Sequence, residues 1–444
     1  MVIAAAAVGI WRVGLARATK TTPPITGTAS RLSIVVLPFT ALGKETDQSF
    51  ADAIVQDATM EMSRMRGSLV IAWSTAASYR GKAMDPKQLG RDLGVRYVLE
   101  GSVQRAANHV EINAQLIDAE TDSHLSVTRF DIELGDLLTV QNQIASRLRH
   151  TFGYKMVRNE VERAERNHTR LDAMDYVLRG DVLFDQEVSK DRYRHQQEMF
   201  ERALQLDPRL PLAKLKLADA LVDKVLDLCP PCDAPEADLR RADDLASQVL
   251  ALHINDVNDA DAHRIKGQIL RAQAQVLGMQ GRLAQAAAEY QAADALYPNH
   301  PIILRQLGRA KNRIGEPAEA IPALERSTRL TSSDVSIIGA NYEELGIAHL
   351  MLGHIDEAIR WYEKALPYTY RGVAYLEMGA ALALKGDRAA AQATLAEAAR
   401  RNPEFTTIAN IRRDYASFSP EPKCLALLEQ SLIKGLRKAG VPEE

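Results

Sequence analysis

The spacing of apolar residues in the first part of the chain predicts alternating strands and helices. Residues 33–39 form a continuous, largely β-branched apolar run, which is typical of a strand buried on both faces, so we expect it at the centre of a small sheet. In residues 48–65 apolar side chains recur every three or four positions, which predicts an amphipathic helix with Asp47 as its N-cap. A second strand over residues 68–72 and a helix over residues 86–94 complete this segment.

The next segment has the alternating pattern of antiparallel strands. Residues 96–103 and 110–118 lie on either side of a turn and largely alternate apolar and polar side chains, which predicts a β-hairpin with one buried face. Residues 123–131 add a further strand, and residues 137–152 carry the apolar stripe of a closing helix. We therefore predict that residues 31–152 form an α/β domain, a small mixed sheet with helices.

Small residues recur with a period near 34 positions in the second half of the chain, which predicts an all-α tetratricopeptide solenoid. In such units small side chains let the two helices of a hairpin approach closely, and Gly346, Ala358, Tyr362 and Ala365 keep the expected spacing. The positions predicted to pack within and between the repeats are Ala274, Ala286, Tyr290, Ala293, Gly308, Ala320, Leu324, Gly346, Ala358, Tyr362, Ala365, Gly379, Ala391, Leu395 and Ala398.

The same period sets the expected limits of the array. An earlier, degenerate unit ends near Phe200, and a further helix pair carries an insertion around Cys229. We expect about six helix pairs over residues 165–403, the first two of them irregular. Residues 404–444 are predicted to form a C-terminal helical cap over the last exposed apolar face.

Five ordered motifs in the α/β segment resemble the TolB amino-terminal-like domain. They are residues 35–39, 50–52, 78–82, 93–103 and 114–118. That domain occurs in proteobacterial proteins between a membrane helix and tetratricopeptide repeats, often downstream of a winged-helix or class III cyclase domain. The resemblance therefore implies a membrane-anchored regulator or the C-terminal region of a cyclase. Two positions depart from the pattern: Ser126 stands where relatives commonly carry tryptophan, and Ala53-Ile54 replaces the more usual Gly-Leu.

The N-terminus carries an apolar segment over residues 2–10. It is too short to cross a bilayer, which needs about 20 apolar residues. It also lacks the preceding basic residue of a signal peptide. We interpret residues 1–17 either as the end of a membrane helix whose beginning is missing or as a weakly membrane-associated helix, and residues 18–30 as a linker.

Two arguments on the compartment disagree. The TolB-like resemblance implies the periplasm, whereas Arg12, Arg17 and Lys20 after the apolar run favour the cytoplasm under the positive-inside rule. We expect a membrane-anchored protein with its soluble part in the periplasm, and a cytoplasmic location as the alternative. A reporter fused after Glu444 distinguishes the two.

Charge and cysteine content narrow the classes of partner. The formal net charge is −3, and Lys and Arg are interleaved with Asp and Glu, so we expect no nucleic-acid partner. Three cysteines are too few for a disulfide framework. Cys229 and Cys232 form a CxxC pair that could be a loop disulfide, an incidental reduced pair, or a redox or metal site.

The sequence carries none of the common catalytic motifs, neither His-Glu-x-x-His nor Gly-x-Ser-x-Gly. We therefore expect a non-enzymatic scaffold or sensory module without a cofactor, which holds a protein or peptide in the concave face of the array and meets a membrane only through its N-terminal segment. The expected contacts lie on the first helices of the units in residues 308–384. Two alternatives stay open: the regulatory half of a split or truncated adenylate or guanylate cyclase or of a winged-helix transcriptional regulator, and a CxxC dithiol oxidoreductase.

Overall fold

The structure is a computed structural model. It describes residues 31–43, 47–65, 67–82, 84–105, 109–133, 137–167, 171–228, 234–253, 257–330, 335–368 and 372–444. The predicted membrane segment (1–17), the predicted linker (18–30) and the pair Cys229 and Cys232 lie outside these described residues.

A mixed sheet forms the centre of the N-terminal domain. Its described strands are β1 (Leu32–Val36), β2 (Thr40–Ala41), β3 (Ser68–Val70), β4 (Tyr97–Arg105), β5 (His109–Asp118) and β6 (Ser123–Glu133). The strand order is β3-β1-β4-β5-β6, with β2 paired to β4. Strand β1 runs parallel to β3 and β4, while β4, β5 and β6 are antiparallel neighbours. The middle strand is therefore β4 and not, as predicted, the run that contains β1.

Helices cover both faces of this sheet. They are α1 (Asp47–Ser63), α2 (Trp73–Ala76), α3 (Pro86–Leu93) and α4 (Leu137–Asn167). Because side chains alternate along a strand, Ile34 of β1 packs with α1 and α4, whereas its neighbour Val35 packs with Leu89 of α3. Helix α3 begins at the side-chain cap of Asp85 and ends at Gly94, whose φ of 65° suits glycine. Both ends of this helix are where the sequence predicted them.

Helix α4 continues to Asn167, so the predicted end of the closing helix at residue 152 is wrong. The helix continues because its second half also packs against the domain. Met156 is fully buried in the same core as Phe152, and Val161 is buried as well. The junction between the α/β domain and the array therefore lies beyond this helix.

The second half of α4 is also joined to the sheet by a buried polar network. The Tyr97 hydroxyl donates to Oε1 of Glu160 at 2.6 Å. Asn159 Nδ2 donates to Oδ2 of Asp118 at 2.9 Å, and Arg163 forms an ion pair with the same carboxylate. Burial raises the pKa of Glu160 even though the hydrogen bond from Tyr97 opposes that rise. These bonds fix the second half of α4 on the sheet.

Six antiparallel helix pairs follow in the described residues. They are α5 (Ala173–Val182) with α6 (Lys190–Leu206), α7 (Pro211–Leu228) with α8 (Pro235–Leu250), α9 (Val257–Leu277) with α10 (Arg282–Leu296), α11 (Pro301–Arg313) with α12 (Pro317–Leu330), α13 (Val335–Met351) with α14 (Ile355–Ala365), and α15 (Val373–Lys385) with α16 (Arg388–Arg401). Each pair packs on the next, so the array is a solenoid.

In several hairpins a large side chain of the second helix packs directly against a glycine of the first helix. Gly346 lies under the ring of Tyr362, where an added Cβ would overlap the ring carbons. An added Cβ at Gly308 would come within 2.5 Å of Leu324 Cγ, and at Gly379 within 2.6 Å of Leu395 Cγ. Glycine is used here because the two helix backbones approach too closely for any side chain.

The hairpin of α9 and α10 departs from the predicted register. The spacing of the other units places Ala274 opposite Tyr290, but the structure places Gly267 there, with Cε1 of Tyr290 2.5 Å from an added Cβ. Ala274 is buried elsewhere in the array. Gly267 precedes Ala274 by seven residues, or about two helical turns. The close contact between α9 and α10 therefore lies farther from the loop that connects them than the sequence predicted.

The chain ends in helices that fold back onto the array. They are α17 (Ile408–Phe418), α18 (Pro422–Leu428) and α19 (Lys434–Ala439), with a π-helical turn (Glu429–Ile433) between the last two. This C-terminal segment packs on α13 and α15, which are first helices of their hairpins. Gly435 lies directly against the backbone of Ala380 in α15. The segment therefore covers the inner side of the last two hairpins.

The glycine contacts predict that replacing one of these glycines with alanine destabilises the protein, whereas the same change in an ordinary helix is stabilising. Alanine in place of a helical glycine normally stabilises a helix by about 1 kcal/mol. We expect Gly346→Ala to lower the free energy of unfolding by about 1–3 kcal/mol, because the methyl group would overlap Tyr362. Urea denaturation followed by circular dichroism measures the change.

Gly153→Ala in α4 is the matched control. Only the flexible end of Met65 lies near an added Cβ there, at 2.9 Å, so we expect little change or a gain. A stable Gly346→Ala protein would show that the array does not depend on this close approach.

Candidate functional site

The α/β domain is fixed against the beginning of the array by an arginine at its start. Arg31, just before β1, makes a bidentate contact with Asp172 at 2.9 and 3.0 Å and also pairs with Asp175 at 2.5 Å. The two carboxylates form the capping box of α5, so Arg31 joins the domain to the first hairpin. Farther along, the guanidinium of Arg64 lies 5.1 Å from the ring centroid of Tyr297.

A groove of about 1320 Å³ lies between this domain and the array. One wall is formed by α5, α7, α9 and α11, the first helices of four successive hairpins. The other wall is formed by the end of α1 and by α4, and Phe184 lies at the rim with 61% of its surface exposed. The groove is therefore the part of the concave face that the α/β domain encloses.

One end of the groove is acidic. Asp219, Asp223 and Asp227 recur every four residues along α7 and face the groove. Arg264 of α9 binds Asp219 with two hydrogen bonds of 3.0 and 3.1 Å and also contacts Asp261 at 2.5 Å. This arginine therefore neutralises the first carboxylate of the row and leaves the next one without a cation.

Asp227 accepts a hydrogen bond from the Tyr193 hydroxyl and lies 3.8 Å from Arg192, whereas Asp223 has no ion pair in the described residues. It accepts a hydrogen bond from Gln268 Nε2 at 3.3 Å. Burial, together with the neighbouring charge of Asp219, raises the pKa of Asp223 to about 7, and Arg264 only partly opposes that rise. A cation placed beside Asp223 would stabilise its ionised form.

The other end of the groove is basic. Arg271 of α9 and Arg305 and Arg309 of α11 face the same space. Glu344 lies 3.4 Å from Arg309 and 3.2 Å from Arg313, so one carboxylate is shared by two guanidinium groups. Arg271 adds a further positive charge beside Arg309.

The positive charge of Arg271 affects the pKa of Arg309. Burial and the neighbouring charge of Arg271 lower the pKa of Arg309 to about 9, and Glu344 only partly opposes that fall. Within the described residues the Nε atoms of Arg271 and Arg309 are buried without a hydrogen-bond acceptor. An anion at this place would both relieve the repulsion and accept these hydrogen bonds.

A smaller cavity of about 290 Å³ opens beside the acidic end. Its apolar lining includes Val157, Phe184, Phe200 and Ala220. The volume suits one apolar side chain next to a charged one.

The rest of the inner surface is occupied by the C-terminal segment. The Tyr415 hydroxyl of α17 donates to Oε1 of Glu377 in α15 at 2.6 Å, and Ser419 Oγ donates to the Arg313 carbonyl at 2.6 Å. Gln275 Nε2 donates to the Phe418 carbonyl at 3.1 Å, next to the groove. We expected partner contacts on the first helices in residues 308–384. Of these helices, α13 and α15 are covered by the C-terminal segment, whereas α11 lines the groove. Among the described residues, the inner surface along α5, α7, α9 and α11 remains open as the groove.

Most of the predicted repeat-packing positions are buried in the array. Of the fifteen predicted repeat positions, fourteen are buried and Leu395 is half-buried. None of these positions lines the groove. The charged residues of the groove were missed, although the spacing of Asp219, Asp223 and Asp227 and of Arg305 and Arg309 is visible in the sequence. Without the fold, such rows are the ordinary pattern of a solvated helix face.

Two absences concern only the described ranges. No three His, Cys, Asp or Glu side chains there are grouped so that they could hold a metal ion. In the part of the chain that the structure describes, no helix combines the length and apolar character that a bilayer crossing requires.

Antiparallel helix pairs, stacked in series with small residues under large ones, define the array as a tetratricopeptide-type solenoid. The predicted fold class, an α/β domain followed by this solenoid, is confirmed. Three solved structures are similar to the array at low identity. They are TTC0263, a thermophilic tetratricopeptide protein of Thermus thermophilus (20% identical, 47% of this chain and 98% of that one, TM-score 0.36), YrrB, a tetratricopeptide protein with an unusual peptide-binding site (19%, 47% and 94%, TM-score 0.33), and the Cut9–Hcn1 assembly of the APC/C (16%, 63% and 51%, TM-score 0.45).

The α/β segment matches a family of regulators. The profile of the HilA/YgeH-like transcriptional regulator, second domain, matches residues 30–147. This is almost the same stretch in which the sequence motifs resemble the TolB amino-terminal-like domain. The match does not confirm that resemblance, which stays a prediction.

A curated relative covers a limited part of the chain. It is the putative adenylate cyclase 3 of Rhizobium meliloti (strain 1021), 37% identical over 190 residues. The match covers 42% of this chain and 32% of the relative, so the shared region is about a third of that protein's length.

The ionisation of Asp223 predicts a pH-dependent stability. Its pKa is about 7 in the folded protein against an ordinary value of 3.8, so the folded state holds the proton more tightly and stability falls as pH rises from about 4 to 7. Asp223→Asn removes this cost. We expect the variant to unfold about 2–4 °C above the unmodified protein at pH 8 and to show a smaller gain at pH 5.

Thermal unfolding followed by circular dichroism at the two pH values measures the difference. Asp244→Asn, at an exposed position of α8, is the control and should change neither midpoint. A lower midpoint for Asp223→Asn at both pH values would show that the ionised carboxylate is stabilising instead.

Proposed function

We propose that this protein is a non-enzymatic interaction module that binds an extended segment of a protein partner in the groove between its α/β domain and the helical array. The observation that carries the proposal is the groove itself. It is about 1320 Å³ in volume and is lined by the first helices of four hairpins. The C-terminal segment covers the inner side of α13 and α15 and leaves this groove open. Extended concave surfaces of this kind are how helical repeats hold peptides.

The lining of the groove favours binding over catalysis. Its ionisable groups are spread along successive helices, with Asp223 at one end and Arg309 at the other. A reaction centre would need a nucleophile or base aimed at one point, with a group that orients it. We therefore expect the chain alone to produce no cyclic nucleotide from ATP or GTP.

The groove predicts where a bound peptide makes contact. We would select binders of the full chain from a random dodecapeptide display library and measure the dissociation constant of the strongest one by fluorescence anisotropy. We expect Phe184→Ala to weaken binding at least about fivefold, because an exposed aromatic ring at the rim of a groove is a typical binding anchor.

Val127→Ala is the matched control for that measurement. Val127 lies on β6 with 70% of its surface exposed and does not line the groove, so the same peptide should bind unchanged. A library that yields no binder, or binders indifferent to Phe184, would contradict the proposal.

A second candidate function is regulatory. The similarity to a putative adenylate cyclase and to a domain of a transcriptional regulator supports the idea that the module controls an output domain, either on the same chain or on a partner. Membrane attachment through residues 1–17 and a periplasmic location belong to this proposal, and the reporter fusion after Glu444 tests them.

A domain exchange tests the regulatory function. The 190-residue segment of the Rhizobium meliloti protein would be replaced by its counterpart from this chain, and cyclic AMP formation would be measured. We expect a functional cyclase whose output differs from that of the parent. An output identical to that of the parent and to that of a variant lacking the segment would contradict a regulatory role.

A further inference from the structure

The charges that line the groove are separated by sign along its length. We infer that its ligand is an extended protein segment of two-sided charge, with an acidic part held at the end lined by Arg271 and Arg309 and a basic part held by Asp223. The inference rests on the proposed function and adds the chemistry and the placement of the ligand.

The basic end is arranged to receive carboxylates. Its three arginines come from two neighbouring first helices, and Arg305 and Arg309 are one turn apart on α11. Guanidinium groups in such a fork bind carboxylate oxygens in pairs, with more geometric specificity than lysine. In the described residues, Arg271 forms no ion pair within 4.0 Å, so its guanidinium is available to an acidic side chain.

The acidic end is arranged to receive a cation. Arg264 is already committed to Asp219 and Asp261, and Lys216 to Asp181 at 2.7 Å. Among the described residues, Asp223 keeps only the hydrogen bond from Gln268. A lysine or arginine of the ligand would therefore meet an uncompensated carboxylate, and the cavity beside it would take a neighbouring apolar side chain.

The spacing of the helices sets the length of the ligand. Asp223 lies on α7 and Arg309 on α11, with α9 between them. Helix α7 packs directly on α9, and both α9 and α11 pack on α10. Packed helices lie about 8–10 Å apart, so two such steps put the ends of the groove roughly 20 Å from each other. An extended chain advances about 3.3 Å per residue, so about six residues separate the acidic and basic parts of the ligand.

The same arrangement disfavours a uniformly charged ligand. A nucleic-acid strand or an anionic membrane surface would place negative charge against Asp223 and Asp227 as well as against the arginines. A polybasic segment would meet the opposite repulsion. A protein segment with both signs satisfies both ends, and charge then also fixes which way round it binds.

Synthetic peptides test the inference directly. The probes are fluorescein-labelled decapeptides with Lys-Lys at one end, six uncharged residues and Asp-Asp at the other, made in both chain directions. A third decapeptide has the same composition, with one Lys and one Asp at each end. Fluorescence anisotropy with the full chain should give a dissociation constant about tenfold lower for one of the two-sided peptides than for the mixed one.

A double-mutant cycle then locates the contact. Arg271→Gln should weaken the preferred peptide about tenfold but should leave unchanged a peptide whose Asp-Asp is replaced by Asn-Asn. Asp223→Asn should act in the same way on the Lys-Lys end. Arg400→Gln is the control, since Arg400 is exposed on α16 and pairs with Glu397 outside the groove. Circular dichroism of each variant checks that it is folded.

The outcomes separate this inference from the proposed function. Equal binding of all three decapeptides, or no coupling between Arg271 and the acidic end, would overturn the two-sided ligand. If neither two-sided decapeptide binds while a library-selected peptide binds and depends on Phe184, the inference fails and the proposed function stands. If no peptide from either source binds in the groove, both fail.

Discussion

The position of helix α4 is the constraint on which the rest of the structure depends. Its second half is held on the sheet by a buried hydrogen bond between Tyr97 and Glu160 and by the contacts of Asp118 with Asn159 and Arg163. Such buried polar groups are costly unless each is satisfied, so the network specifies one placement of the helix. Because α4 also forms a wall of the groove, that placement sets the width of the groove.

Close packing within the array makes the other wall of the groove rigid. Glycines such as Gly346 and Gly267 let paired helices approach until a tyrosine ring touches backbone, which leaves little room for one helix to slide on the other. The first helices consequently present their side chains at fixed spacing. On the proposed function, the charged rows on α7, α9 and α11 would act together on one extended ligand without first being ordered, which would lower the entropic cost of binding.

Much of the fold could be predicted from the sequence wherever a local pattern of residues is compatible with only one structure. The buried run at β1, the bounds of α3 and the pair Gly346 and Tyr362 are examples. The continuation of α4 was missed because Glu160 and Arg163 look like a solvated face, although they are buried in the fold. Two further features depend on how distant segments meet, which no local spacing encodes. One is that Gly267, and not Ala274, faces Tyr290. The other is the separation of negative from positive side chains along the groove.

The C-terminal segment has a consequence for how many ligands the array can hold. It lies on α13 and α15 and is tethered to the same chain, so it is present there at an effective concentration in the millimolar range. A free peptide at cellular concentration competes poorly with such a tethered occupant. On the proposed function, the array would therefore hold one ligand despite its six described hairpins, and clustering of ligands would require several copies of the protein.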